Sequence, residues 1–206
     1  MFISFEGCEG TGKTTLSKFL CQKIRKKYEV ILTKEPGCYL PLNIEIRKLL
    51  LRFYDKIDFY TEALLYASDR TEHLKKIIIP ALKANKIVIC DRYLDSSIAY
   101  QGYARQLGSD FIKQINFLAI QYLPNITFYL DIDPKIGIQR LNVQRKDKIE
   151  YFDLEKINFH NEVRKGYLQL YKEYPNRIYK IDASLSLEEI ELIIEKKIEQ
   201  LLKNKI

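Results

Sequence analysis

The chain alternates short apolar runs with longer stretches of helical period. Residues 2–5 (FISF) read as a short strand ending in Glu6-Gly7. Residues 13–27 place Leu16, Phe19, Leu20 and Ile24 on one face of a helix. A second strand is predicted over 29–33 (EVILT), closed by Glu35-Pro36-Gly37, and a short helix over 43–52. Residues 59–85 form a long helical stretch, bent or ended near Pro80, whose ring cannot continue the hydrogen-bond ladder. The run 87–90 (IVIC) is a third strand, followed at once by Asp91-Arg92. Helices are predicted over 95–103 and 109–122, the second with Ser109 as its cap. Strand four covers 126–132 (ITFYLDI), and Asp133-Pro134 opens a helix with proline in its first turn. Residues 141–150 are polar and charged and read as an exposed loop. A helix over 154–173, a strand over 178–181 and a helix over 186–203 complete the pattern. In the last helix, Ser186 and Glu189 have the spacing of a capping box.

Five strands alternating with helices predict an α/β fold, with a five-stranded parallel sheet covered by helices on both faces. The 206 residues fit one domain, 1–206, and no repeat, low-complexity tract or long linker divides them. No stretch is apolar for long enough to span a membrane, and the N-terminus lacks a secretory pattern, so a cytoplasmic protein is expected. The four cysteines make no CxxC pair, and His73 and His160 stand far apart, which argues against structural zinc. All four are read as free thiols. The formal net charge is +7. A nucleic-acid partner is one reading, but the lysines are spread along the chain without a basic arm. Solvated helix faces and attraction for small anions account for the charge better. No nucleic-acid or membrane partner is expected.

The strongest chemical signal lies between the first strand and the first helix. Gly7-Cys8-Glu9-Gly10-Thr11-Gly12-Lys13-Thr14 matches G-x-x-x-x-G-K-[ST], with Thr15 following. Glycines let successive backbone N–H groups turn toward phosphate oxygens, where they join the positive end of the next helix. Lys13 is the point charge for the terminal phosphates, and the Thr14 hydroxyl is a ligand for a bridging Mg²⁺. This predicts a P-loop nucleotide fold, without separating a kinase from a switch or a mechanical ATPase. Asp91, at the end of strand three beside this loop, is placed to hold the same Mg²⁺ or its water shell. Arg92 next to it can grip a phosphate with two parallel hydrogen bonds. On these residues alone, a surface ion pair at a strand end is an equally good account.

The order of blocks is more specific. GCEGTGKTT, then KEPG, LLYASDRTEH, DRYLDSSIAYQG and a charged segment after LDIDPKIGIQR resemble the thymidylate kinase family of bacterial type, over essentially the whole chain. The resemblance implies transfer of a phosphoryl group from ATP to thymidylate, dTMP, with Mg²⁺, in a homodimer. It implies that Glu9 lies near the 3′-hydroxyl of the acceptor sugar and that Arg92 holds the acceptor phosphate, with Arg47 close by. It places Tyr66 and Arg70 on the thymine ring, and Ser97, Tyr100 and Gln101 along the base and sugar, with Pro36 in the same wall. Each role has a physical basis: an aromatic ring is a flat apolar surface for a base, and an arginine donates to carbonyl oxygens at any pH. Without the resemblance, Tyr66 reads equally as core, Tyr100 as a packing tyrosine and Arg70 as a solvated helix charge.

Two departures stand out. Cys38 follows Glu35-Pro36-Gly37 where the family usually has glycine, and the phosphate loop carries no arginine. The cation that closes over the transferring group is therefore expected from the charged segment, with Arg140 near ATP and Arg145 as the catalytic arginine beside Lys146 and Lys148. Together with Lys13, Arg92 and Glu9 this makes the expected catalytic set, and the segment itself a lid of about residues 141–150. The competing readings are another P-loop nucleoside or nucleotide kinase, and a nucleotide-binding switch without enzymatic activity.

Overall fold

The computed structural model describes residues 1–144 and 155–203. Five strands form one parallel sheet: β1 Phe2–Glu6, β2 Val30–Lys34, β3 Ile87–Asp91, β4 Ile126–Asp131 and β5 Ile178–Asp182. Their order across the sheet is β2-β3-β1-β4-β5. The strands that follow β1 are added first on one side of it (β2, β3) and then on the other (β4, β5), so the crevice beyond its C-terminal end is where this architecture places a ligand. Every residue of β1 is buried, as a central strand covered on both faces requires.

The two faces carry separate cores. On one, Leu16, Leu20 and Ile24 of α1 (Lys13–Ile24) meet Ile190, Ile194 and Ile198 of α10 (Leu187–Lys203) over Phe5 and Phe128 of the sheet. The i, i+4, i+8 spacing of both sets forms the apolar stripe. Each such side chain contributes about 1.5–3 kcal/mol on burial. The capping box starts α10 as its spacing predicts: Ser186 N–H donates to Glu189 Oε2 (2.9 Å), and Glu189 N–H to Ser186 Oγ (3.3 Å). The opposite face is covered by α3 (Phe59–His73), α4 (Ile79–Lys83), α5 (Leu94–Ser97) and α9 (Ile157–Glu173).

Three predicted elements differ in detail. The stretch from residue 59 continues past Pro80 without a break, because Leu74–Ile78 widens into a π-turn. Widening relieves the clash that the proline ring would make with the preceding turn. The helix predicted from 109 is two: α6 (Ser109–Ile115) and α7 (Phe117–Ile120), interrupted at Asn116. Gly108, not Ser109, is the N-cap of α6, and no side chain caps it. The segment predicted as a loop from 141 begins in helix instead, since α8 (Pro134–Gln144) runs through its first residues. The remainder, with Arg145, Lys146 and Lys148, lies outside the described residues.

Candidate active site

A cleft of about 990 Å³ opens beyond the C-terminal ends of β1 and β3. It is lined by the phosphate loop from Glu9 to Thr15, by Pro36 and Arg47, by Tyr66 and Arg70, and by Asp91 and Arg92. Ser97, Tyr100, Gln101 and Arg140 complete the set. Gly7 and Cys8 lie just behind, at the root of the loop. The fold thus brings together the sequence-predicted residues, apart from Arg145, which lies outside the described residues.

The loop's shape comes from its glycines. Gly12 is the N-cap of α1 at φ 86°. Gly10 packs directly on the backbone of Gly137 in α8, leaving no room for a Cβ on either residue. Gly137 went unnoticed in the sequence because a lone glycine in a helical pattern carries no local signal. Lys13 is buried, and its Nζ donates to the carbonyls of Gly7 (3.0 Å) and Cys8 (2.7 Å). Burial first, then the positive charge of Arg92, lowers its pKa from 10.5 to about 8. Thr14 Oγ1 donates to Asp91 Oδ2 at 2.5 Å. These are hard oxygen donors on adjacent elements at the mouth of the loop, and they suit Mg²⁺.

Arg92 adopts a left-handed backbone, φ 69°, a conformation that costs a non-glycine residue energy and recurs at functional sites. Its Nη2 donates to Glu9 Oε1 at 2.6 Å, and its guanidinium lies over the Tyr100 ring, 5.0 Å from the centroid. The Tyr100 hydroxyl donates to both Glu9 oxygens, at 2.7 and 2.6 Å. Burial pushes the Glu9 pKa up, but Arg92 above all, with Lys13 and Tyr100, holds the carboxyl well below the usual range. His160 Nδ1 stands 3.7 Å from Glu9 Oε2, beyond a direct hydrogen bond.

Behind Arg92 lies a carboxylate that sequence reading passed over. Glu6 is fully buried at the end of β1. Its Oε1 accepts from Tyr93 N–H (2.7 Å), and its Oε2 from Ser96 Oγ (2.5 Å) and Tyr167 Oη (2.9 Å). Both hydroxyls in turn accept from Arg92 Nη1, at 3.2 and 3.5 Å. Burial, then the nearby Asp95 carboxylate, raises the Glu6 pKa from 4.5 to about 7.

Arg70 is no solvated helix charge. It is 2% exposed, and its Nε donates to Glu35 Oε2 at 2.8 Å. Nη1 donates to Asn116 Oδ1 (2.7 Å), and Nη2 to the Tyr93 carbonyl (3.2 Å) and Ser97 Oγ (3.0 Å). Asn116, between α6 and α7, is thus a partner of this arginine. One Nη1 hydrogen keeps no acceptor among the described residues. Asp69, the preceding residue, accepts from Gly37 N–H (3.0 Å) and Asn43 Nδ2 (2.8 Å), pinning the Glu35-Pro36-Gly37 turn to α3. Arg47, on α2 (Pro41–Arg52), donates to the Pro36 carbonyl at 3.2 Å. Cys38 is buried beside this turn. At the far end of the cleft, Arg140 Nη1 donates to the Ala183 carbonyl at 2.7 Å, joining α8 to the segment after β5.

Comparison with known proteins gives the family. The sequence model of the thymidylate kinase family matches residues 5–194. A thymidylate kinase of Aster yellows witches'-broom phytoplasma (strain AYWB) is 64% identical over 202 residues, covering 97% of each chain. One from Geobacillus sp. (strain WCH70) is 48% identical over 192 residues, 92% of this chain and 91% of that one. The crystal structure of thymidylate kinase from Ehrlichia chaffeensis superposes with a TM-score of 0.79 at 35% identity, covering 97% of this chain and 98% of that one. With a P-loop at β1, an arginine-lined wall at β3 and similarity along the whole chain, the protein belongs to the thymidylate kinase family.

Proposed function

We propose that the chain transfers the terminal phosphoryl group of ATP to thymidylate, giving dTDP for DNA synthesis. The observation that carries this reading is a cleft that lines up Lys13, Arg92 and Arg47, in a chain of this family. Lys13 and Arg92 meet at the middle of the cleft, both donating to the Gly7 carbonyl (3.0 and 3.2 Å), with the loop amides on the donor side and Arg47 on the acceptor side. Phosphoryl transfer needs two anions aligned and their charge neutralised more than it needs covalent chemistry. The loop N–H groups and Lys13 take the ATP phosphates. Arg92, oriented by Glu9, Ser96 and Tyr167, takes the acceptor phosphate. Thr14 and Asp91 would hold Mg²⁺, which supplies charge neutralisation between the phosphates when bound. Arg70 and Ser97 face the pyrimidine edge, with Tyr66 against its ring. Tyr100, hydrogen-bonded to Glu9, occupies the ground where a ribose 2′-hydroxyl would project.

Residues 1–206 act as one catalytic domain, with about 141–150 as its closing lid. Arg145 belongs to the closed state, and Arg140 to the ATP end. The protein works in the cytoplasm as a homodimer. The exposed Leu49, Phe59, Tyr60 and Leu64 on α2 and α3 favour a second copy on that face. A monomeric mass by light scattering at micromolar concentration would refute the dimer. Among the described residues no helix is long and apolar enough to cross a membrane.

Coupled ADP-release assays with thymidylate, deoxyuridylate, uridylate, thymidine and DNA test the reaction. Thymidylate should lead, deoxyuridylate should follow, and uridylate, thymidine and DNA should be poor. Preference for thymidine would move the chain to the nucleoside kinases and leave Arg92 without an acceptor phosphate.

A further inference from the structure

The wall that faces the base contains a carboxylate with no part in the reaction as described. Glu62, in the first turn of α3, is fully buried. Its Oε1 accepts from Gln101 Nε2 at 2.8 Å. Its Oε2 receives Arg105 Nη2 at 3.4 Å, and Arg105 Nη1 reaches Glu155 at 2.6 Å. The Arg105 guanidinium is held between the rings of Phe59 (4.5 Å) and Phe159 (4.6 Å). Gln101 is 2% exposed and lines the cleft.

A buried glutamine amide has two orientations of nearly equal shape, one offering a donor and the other an acceptor. A carboxylate accepts only, so Glu62 allows just one: the NH₂ group turns to Glu62, and the carbonyl oxygen is left for the cleft. Among the described residues that oxygen receives no donor. Gln101 lies four residues beyond Ser97, whose Oγ holds Arg70 Nη2 at 3.0 Å. The wall therefore presents a fixed acceptor about one helical turn from a fixed arginine donor. A ring edge that carries N–H next to C=O satisfies both groups. An edge with a bare ring nitrogen next to an amino group meets acceptor with acceptor and donor with donor. Leaving a buried polar group unpaired costs about 1–3 kcal/mol, so direction alone discriminates.

We propose that Glu62 is a specificity-determining positioning residue, which locks the Gln101 amide so that the site accepts 2,4-dioxopyrimidine monophosphates and refuses 4-amino-2-oxopyrimidines. This rests on the thymidylate kinase reading above. Glu62 touches no substrate and acts only through Gln101. Arg105 gives Glu62 its counter-charge, which a buried carboxylate needs.

The test is the ratio of kcat/KM for thymidylate to that for deoxycytidylate, measured with melting temperature for each variant. In Glu62→Gln the partner becomes an amide that can face Gln101 with either group, so the Gln101 carbonyl is no longer dictated. The ratio should fall at least 10-fold, mostly through a raised KM for thymidylate and a lowered one for deoxycytidylate. Arg105→Lys keeps a counter-charge, and with it the acceptor-only carboxylate, while it removes the guanidinium held between the two rings, so it should lower the melting temperature and keep the ratio within about 3-fold of wild type. If Glu62→Gln does not fold, Gln101→Met, which removes the amide and retains the Glu62–Arg105 pair, should reproduce the fall in ratio. An unchanged ratio in a folded Glu62→Gln or in Gln101→Met overturns the proposal, as does an equal fall in Arg105→Lys, which would make the effect one of general packing. A wild-type enzyme that does not favour thymidylate over deoxycytidylate would instead overturn the functional reading itself.

Discussion

The two sides of the cleft, which meet where Lys13 and Arg92 share the Gly7 carbonyl, are built on different principles. At the phosphate loop the backbone does the holding. Lys13 rests on the carbonyls of Gly7 and Cys8, Gly12 caps α1, and no buried carboxylate forms an ion pair with Lys13 among the described residues. At the acceptor wall, side chains do the holding, and three of the polar groups that line the cleft are each backed by a glutamate. Arg70 has Glu35, Gln101 has Glu62, and Arg92 has Glu9 directly and Glu6 through two hydroxyls. The difference follows from the ligands. Phosphates are alike in every nucleotide, and a ring of N–H groups with a mobile cation serves them all. A base must be told from other bases, which requires donors and acceptors fixed in direction. Fixing them in a buried wall takes charges whose removal is costly.

The comparison predicts where the molecule breaks. The largest stability loss is expected at Glu35→Ala. Both of its oxygens are engaged, by Arg70 (2.8 Å) and by His73 Nδ1 (2.8 Å), and Arg70 would be left as a buried charge without its partner. Breaking a buried pair in this way costs about 3–5 kcal/mol. Urea unfolding measures it, and a loss below about 1 kcal/mol would mean that Arg70 finds another counter-charge. Lys13→Ala should do the reverse. It should lower kcat by about 10²-fold or more, as loss of a preorganised charge does, while the melting temperature barely moves. Near-normal turnover would remove the phosphate loop from the mechanism.

A smaller effect separates the two sides by pH. Glu6 holds its proton up to about pH 7 in the folded chain, against 4.5 for an ordinary glutamate, and Asp69 up to about 6, against 3.8. Between the lower and the upper values the folded chain binds more protons than the unfolded one. Both groups therefore favour folding at low pH, and that contribution is lost as pH rises through 4–7. Glu6→Gln should flatten this part of the stability–pH curve, because an amide does not titrate. An identical slope in the variant would show that Glu6 keeps its carboxylate charge throughout.

Much of this was legible in the sequence, and for local reasons. The strands are short apolar runs, the phosphate loop is eight contiguous residues, and the capping box of α10 needs only Ser186 and Glu189 at their spacing. What escaped is the support behind the site. Glu6 and Glu62 are single glutamates without a motif, Glu35 is legible only as part of its turn, and their hydrogen-bond partners lie 35 to 161 positions away. Tyr167 reaches Glu6 from the other end of the chain, with 161 positions between them. Gly137 matters only because the fold lays it on Gly10. Asn116, at the division of α6 from α7, reaches Arg70, 46 positions earlier. The helical periodicity of 109–122 carries no trace of that.

The central claim is that the two sides of the cleft bind different ligands, with Arg92 serving the acceptor. Calorimetric titration of thymidylate, and separately of a non-hydrolysable ATP analogue, into wild type and Arg92→Gln tests it most directly. A charge-assisted hydrogen bond to phosphate is worth about 1.5–3 kcal/mol, so the Kd for thymidylate should rise by about 10-fold or more, while that for the ATP analogue stays within about 3-fold. Unchanged thymidylate binding, or a loss confined to the ATP analogue, would contradict the account.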